Sequence, residues 1–124
     1  MIAITAGRNT EIRMPIYITQ GRYTRDAVKG MLARPEDRAE QVSRLLSKVG
    51  GRLIGYYMTF GEYDFLTIAE APSETQMAAA LLVAAGSGGV TDMRTTLALS
   101  AAEGKGAFAA ASELARSFRS AGGT

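Results

Sequence analysis

The chain contains no cysteine and no histidine, and each absence closes off a block of chemistry. Without cysteine there is no disulfide, no thiolate metal site and no cysteine nucleophile. Without histidine there is no Ser-His-Asp triad, and the usual zinc and non-haem iron ligands and the commonest haem axial ligand are missing too. Long hydrophobic runs are also lacking. Residues 75–91 carry no charge, but Gly86, Ser87, Gly88 and Gly89 break them short of a membrane span. The opening MIAITAG is too short for the apolar region of a signal peptide, and its nearest cation, Arg8, follows it. Neither sign of charge dominates, with 14 basic and 12 acidic side chains and a net charge of +2. Arg22, Arg25, Lys29 and Arg34 cluster near the first loop, yet acids dilute them and few aromatics interleave, which argues against nucleic-acid binding. The expectation is a soluble, cytoplasmic protein with no cofactor, no metal, and neither nucleic acid nor membrane as partner.

What is present points to one folded unit. At 124 residues the chain suits a single domain that buries roughly two-thirds of its unfolded surface. Residues 1–13 alternate weakly and are expected to form an arm; 14–120 form the domain; 121–124 form a flexible tail. Residues 16–22, rich in Ile, Tyr and Thr, read as a strand. Thr24 caps a short helical stretch, and Pro35 with Glu36 and Asp37 opens a longer helix, ended by Gly50-Gly51. Residues 53–60 and 64–69 are two strands joined by Gly61-Glu62-Tyr63-Asp64. Ser73 and Gln76 begin a helix over 74–85, and 90–99 is a fourth strand. Ser100 and Glu103 cap a last helix with Phe108, Ala111, Leu114, Ala115 and Phe118 in one stripe.

The order β-α-β-β-α-β, followed by an extra helix, predicts an α+β fold: a ferredoxin-like antiparallel sheet with helices on one face. The other face is then bare. Tyr17, Thr19, Tyr57, Thr59, Arg94 and Thr96 are expected on it, and a second copy packed sheet against sheet would cover it. The expected partner is therefore the chain itself, as a homodimer or higher even oligomer.

Five short stretches resemble the GYD domain family over residues 14–104. They are Met14-Pro15-Ile16-Tyr17, Gly50-Gly51-Arg52-Leu53, Tyr57 to Phe65 through Phe60-Gly61-Glu62-Tyr63-Asp64, Glu70-Ala71-Pro72, and Gly89-Val90 with Arg94-Thr95-Thr96. The resemblance implies a dimeric α/β barrel and little about chemistry. A looser similarity, to the effector-binding half of leucine-responsive-type regulators, implies a small-molecule site between subunits near the hairpin turn. Direct DNA regulation is not expected, because no helix-turn-helix precedes the first strand.

Gly61-Glu62-Tyr63-Asp64 has a structural reading: Gly61 takes positive φ, Tyr63 packs on a sheet edge, and Asp64 accepts backbone N–H groups. The same turn could aim Asp64 at a ligand, with Arg94 as an anion-binding cation and Tyr17, Tyr57 and Tyr63 as ring contacts. Arg94 has an equally good structural reading as an inter-subunit ion pair with Asp64, Glu62 or Glu70. Glu62 and Asp64 alone are too few carboxylates for a dedicated cation site. Gly86-Ser87-Gly88-Gly89 follows a helix and precedes a strand, the reverse of a phosphate-binding loop, so it reads as a helix stop. The primary expectation is a small-molecule-binding or sensing module using Tyr17, Tyr57, Tyr63, Asp64 and Arg94. The alternatives are a structural assembly protein, and a cofactor-independent isomerase, decarboxylase or oxygenase with Asp64 as base.

Overall fold

The computed structural model describes residues 14–122. The expected arm at 1–13 lies outside the described residues, as does the end of the expected tail. The elements are β1 (Ile16–Tyr23), α1 (Arg25–Ala33), α2 (Arg38–Lys48), β2 (Arg52–Met58), β3 (Phe65–Glu70), α3 (Glu74–Gly86), β4 (Val90–Ala98) and α4 (Ala101–Ala115). The strands form one antiparallel sheet in the order β2-β3-β1-β4. With α2 and α3 on one face, this is the ferredoxin-like arrangement expected from the sequence.

Residue chemistry accounts for the helix ends. Arg34 precedes Pro35 and is held out of the helical region (φ −146°, ψ 85°), so α1 stops at Ala33. Pro35 therefore stands between two helices rather than in the first turn of α2, where the sequence reading put it. The cap of α2 is Asp37, whose carboxylate Oδ1 accepts from the N–H of Ala39 at 3.0 Å. Ser73 caps α3, and Ser100 and Glu103 form the expected reciprocal capping box on α4. The Gly86–Gly89 stretch is a helix stop, with Gly88 at φ +84°.

The alternating burial of β1 and β3 separates the two faces of the sheet. Tyr17, Thr19, Phe65, Thr67 and Ala69 are buried beneath the helices. Ile16, Ile18, Leu66 and Ile68 lie on the opposite face with Tyr57, Arg94 and Thr96, their register partners or neighbours. Tyr17 and Thr19 thus turn towards the helices, not onto the bare face where they were expected. A one-residue change of parity moves a side chain through the sheet, and nothing in the alternating sequence of β1 distinguishes the two.

The core gathers Tyr17, Leu46, Ala69, Ala71, Met77 and Ala80, with Val42, Leu45 and Leu53 packed against it. Gly51 lets β2 lie close to β3, because a Cβ there would collide with the Glu70 carbonyl oxygen. Two helices contribute little to this core. Neither α1 nor α4 has a buried residue or extensive contact with another element. The apolar stripe of α4 is outside, with Phe108, Leu114 and Phe118 exposed. No helix among the described residues is long and apolar enough to cross a membrane.

Candidate functional site

The thin cover over one end of the sheet leaves a hollow. A partly open cavity of about 910 Å³ lies between the helix-covered face of the sheet and helices α1, α2 and α3. Its floor comes from β1, β2 and β3: Thr19, Tyr23, Tyr56, Phe65 and Thr67. Met31, Met77 and Met93 add flexible thioether walls. The rings of Tyr23 and Tyr56 pack on Phe65, with centroids 5.3 and 5.9 Å away. Their hydroxyls meet each other at 2.6 Å. Burial first, and then the hydrogen bond to Tyr23, push the Tyr56 phenol well above the usual tyrosine range. Tyr56 therefore stays protonated at neutral pH and is available as a donor.

Local sequence explains why the hollow exists. Gly21 has no side chain, so the Phe65 ring crosses it; a Cβ there would lie 2.6 Å from Phe65 Cζ. Helix α1 is tied at its N-terminus, where Thr24 donates through N–H to the Gly89 carbonyl and through Oγ1 to that of Gly88. Beyond that tether it stands off the sheet, and the space beneath it is the cavity.

Of the residues singled out from sequence, Tyr63 and Arg94 meet at one small hollow, while Tyr17, Tyr57 and Asp64 do not line it. Tyr17 is in the core, its hydroxyl buried with no hydrogen-bond partner among the described residues. Burial, with a smaller contribution from the charge of Glu74, raises its pKa. Tyr57 is exposed on the bare face, on edge strand β2, while Arg94 is on the opposite edge strand β4. Three strand spacings, roughly 14 Å, separate those edges within one chain.

Asp64 does structural work. Its Oδ2 accepts from the N–H of Tyr23 at 2.9 Å, and its own N–H donates to the Gly21 carbonyl at 2.8 Å. The carboxylate thereby anchors the hairpin to the end of β1. The connection is wider than a tight tetrapeptide turn, since β2 ends at Met58 and β3 begins at Phe65. Gly61, at φ +141°, supplies the bend.

Tyr63 lies under Arg22, whose guanidinium carbon sits 5.5 Å from the ring centroid, and Arg22 Nε donates to the Glu62 carbonyl. A second, smaller and more polar hollow of about 330 Å³ is lined by Arg22, Glu62, Tyr63, Asp92 and Arg94. Arg22 reaches Asp92 at 3.6 Å, while Arg94 makes no ion pair among the described residues; Glu70 pairs with Arg52 at 3.2 Å instead. No group of three or more acidic residues among the described residues could hold a metal ion.

Sequence reasoning missed Tyr23 and Tyr56. A signal for Tyr23 existed: it ends the same alternating series as Tyr17 and Thr19. For Tyr56 there was none, because an irregularity between Leu53 and Gly55 decides which member of the Tyr56-Tyr57 pair turns inward.

The antiparallel ferredoxin-like sheet, with a hollow under its helices, defines a small α+β domain. The chain belongs to the GYD domain family, whose model matches residues 17–108. It is 31% identical over 80 residues to the glutamine synthetase and cystathionine beta-lyase binding protein of Thermus thermophilus, a match spanning 64% of this chain and 84% of that protein. Solved structures align more loosely. The crystal structure of FFRP-DM1 has a TM-score of 0.44 and 15% identity, covering 69% of this chain and 100% of the other. TTHA0845, also from Thermus thermophilus, has a TM-score of 0.46 and 16% identity, covering 71% and 96%.

Proposed function

We propose that this protein is a small-molecule-binding or sensing module, working as a homodimer or higher even oligomer, with its ligand in the cavity beneath α1. The observation that carries the reading is the cavity, whose size lies in the range of roughly 300–1,000 Å³ usual for small-molecule sites. Its lining is mostly apolar, with the rings of Tyr23, Tyr56 and Phe65 and with hydroxyls and charged side chains to fix orientation. This moves the ligand from the Tyr57, Asp64 and Arg94 region to Tyr23, Tyr56 and Phe65. Catalysis gains no support from the geometry, since Asp64 lines neither hollow and is engaged by Tyr23.

Oligomerisation rests on the other face of the sheet. Ile16, Ile18, Leu66 and Ile68 make an apolar band there with no helix packed on it among the described residues, and a second copy packed face to face would give the dimeric α/β barrel. Ile18→Asp places a charge at the centre of that band. It is expected to give a monomer by light scattering; a wild-type monomer would overturn the barrel.

Native mass spectrometry tests the ligand. An even oligomer carrying extra mass, lost on denaturation and absent from Ala27→Phe, which fills the cavity from α1, is the expected result. Added ligand at 100 times its Kd should raise stability by about 2.7 kcal/mol. A clean spectrum, together with no thermal stabilisation by a broad metabolite panel, would overturn the reading.

A second reading makes the partner a protein. It is favoured by the name of the Thermus relative, which describes binding to two enzymes, and by the exposed Phe108 and Leu114 on α4, with Phe118 exposed just beyond it. Purified glutamine synthetase, retained by the whole chain and lost on Phe108→Ser with Leu114→Ser, would favour it.

A further inference from the structure

Two phenols that share one hydrogen bond still own two protons. One spans the 2.6 Å between Tyr23 Oη and Tyr56 Oη. The other finds no acceptor among the described residues, although both side chains line the cavity. A buried or half-buried hydroxyl without an acceptor is a group for which a ligand oxygen is the natural complement. A ligand ammonium could donate to the phenols' remaining lone pairs but would leave that proton without an acceptor.

Charge at the rim has the same preference. Arg34, Arg38, Arg44 and Lys48 border the cavity against one acid, Glu36. Arg44 is occupied by Glu40 at 3.8 Å and Arg38 shares Glu36 at 3.4 Å, which leaves Arg34 and Lys48 without an ion pair among the described residues. Arg38 is also close enough to Tyr56 for its charge to act on that phenol. The nearby acid, Asp37, is committed to capping α2 through Ala39. The interior below the rim is apolar and adaptable, made of Phe65 and the methionines.

We propose that the cavity takes an amphipathic monocarboxylate. Its apolar body lies against Phe65, Met77 and Met93, and its carboxylate accepts from the Tyr23–Tyr56 pair while facing Arg34 and Arg38. This rests on the reading of the cavity as the ligand site and adds the chemical class of the ligand. It also assigns the Tyr23–Tyr56 pair a role: its spare proton selects an acceptor head group over a donor one.

Isothermal titration calorimetry with probes that share an apolar body separates the two claims. 2-Naphthoate, 2-naphthalenemethanol and 2-naphthylmethylamine test one body, and decanoate with 1-decanol a second. The expected order is carboxylate over alcohol by about tenfold or more, the ratio for a hydrogen bond to a charged group, with the amine weakest. Tyr56→Phe should weaken the carboxylates by a similar factor and leave the alcohols within about twofold. Arg38→Gln, an exposed-side-chain change that spares the floor, should also weaken only the carboxylates, and added salt should mimic it. Far-UV circular dichroism checks that Tyr56→Phe folds; if it does not, Arg38→Gln decides. Equal binding of carboxylate and alcohol would overturn the carboxylate proposal while leaving the cavity as the ligand site. Failure of all five probes to bind, or binding that persists in Ala27→Phe, would overturn the cavity reading as well.

Discussion

Tyr17 and Tyr23 share strand β1 and the helix-covered face of the sheet, yet they stand in opposite surroundings. Tyr17 is enclosed with Leu46, Ala69, Ala71 and Met77, and even its hydroxyl is buried without a partner among the described residues. Tyr23 borders open space, and its hydroxyl is satisfied by Tyr56. The helices above account for the contrast. Around Tyr17, side chains of α2 and α3 fill the interior; towards Tyr23, where α1 leans on its tether, a cavity opens between the sheet and all three helices and polar groups find each other. One end of this face holds the fold together, and the other is free to hold something else.

The largest effect should come from emptying the filled end. Tyr17→Ala is expected to cost about 3–5 kcal/mol, the usual range for truncating a buried aromatic ring. That is a large part of a stability of about 5–15 kcal/mol. Tyr23→Ala removes a ring of similar size from a wall that already faces a void, and should cost no more than about half as much. Urea denaturation of the two variants measures the difference directly. Equal losses would mean that the hollow end is as tightly packed as the core.

Two glycines sharpen the same contrast. Gly51→Ala drives a Cβ into the Glu70 carbonyl oxygen, and a backbone atom in a paired strand cannot give way. Gly21→Ala meets the edge of the Phe65 ring, which has the cavity beside it to move into. Overpacking costs about 1–3 kcal/mol, and Gly51→Ala belongs at the upper end with Gly21→Ala at the lower. Thermal midpoints should separate them, and a larger loss for Gly21→Ala would contradict a yielding cavity wall.

Much of the filled end was legible in the sequence. The helical spacing of Val42, Leu45, Leu46 and Val49, the Ser73 and Ser100 caps and the Gly88 stop are local signals, and the structure uses them as local chemistry dictates. At Gly61 to Asp64 the positive φ of Gly61 and the backbone N–H accepted by Asp64 were legible, while the length of the connection was not. The hollow end was not legible. It arises from a helix that fails to pack, from a register irregularity beside Gly55 and from contacts between residues far apart in sequence, Tyr23 with Tyr56. Periodicity reports which side chains share a face; it carries no record of how far away the opposite layer stands.

Alkaline pH probes the hollow end through Tyr56. Its folded pKa is raised above the unfolded value of about 10, so the stability this contributes is complete below that value. As pH climbs past about 10, the unfolded chain releases a proton that the folded chain keeps, and stability falls. Tyr56→Phe should flatten that fall, as judged by unfolding midpoints between neutral pH and about pH 11. An unchanged slope would place the alkaline sensitivity elsewhere.

The smallest effect is also the most discriminating. Tyr17→Phe deletes a buried hydroxyl that makes no hydrogen bond among the described residues and keeps the ring that fills the core. An unsatisfied buried polar group carries its desolvation cost uncompensated, so its removal should be neutral or stabilise by up to about 1 kcal/mol. Tyr56→Phe deletes a hydroxyl of the same kind that does have a partner, and should lose about 0.5–1.5 kcal/mol. The two substitutions are chemically identical, so the sign of the difference reads out the surroundings alone. If Tyr17→Phe proves the more costly, its hydroxyl has a partner in solution and the filled end is wetter than its packing implies.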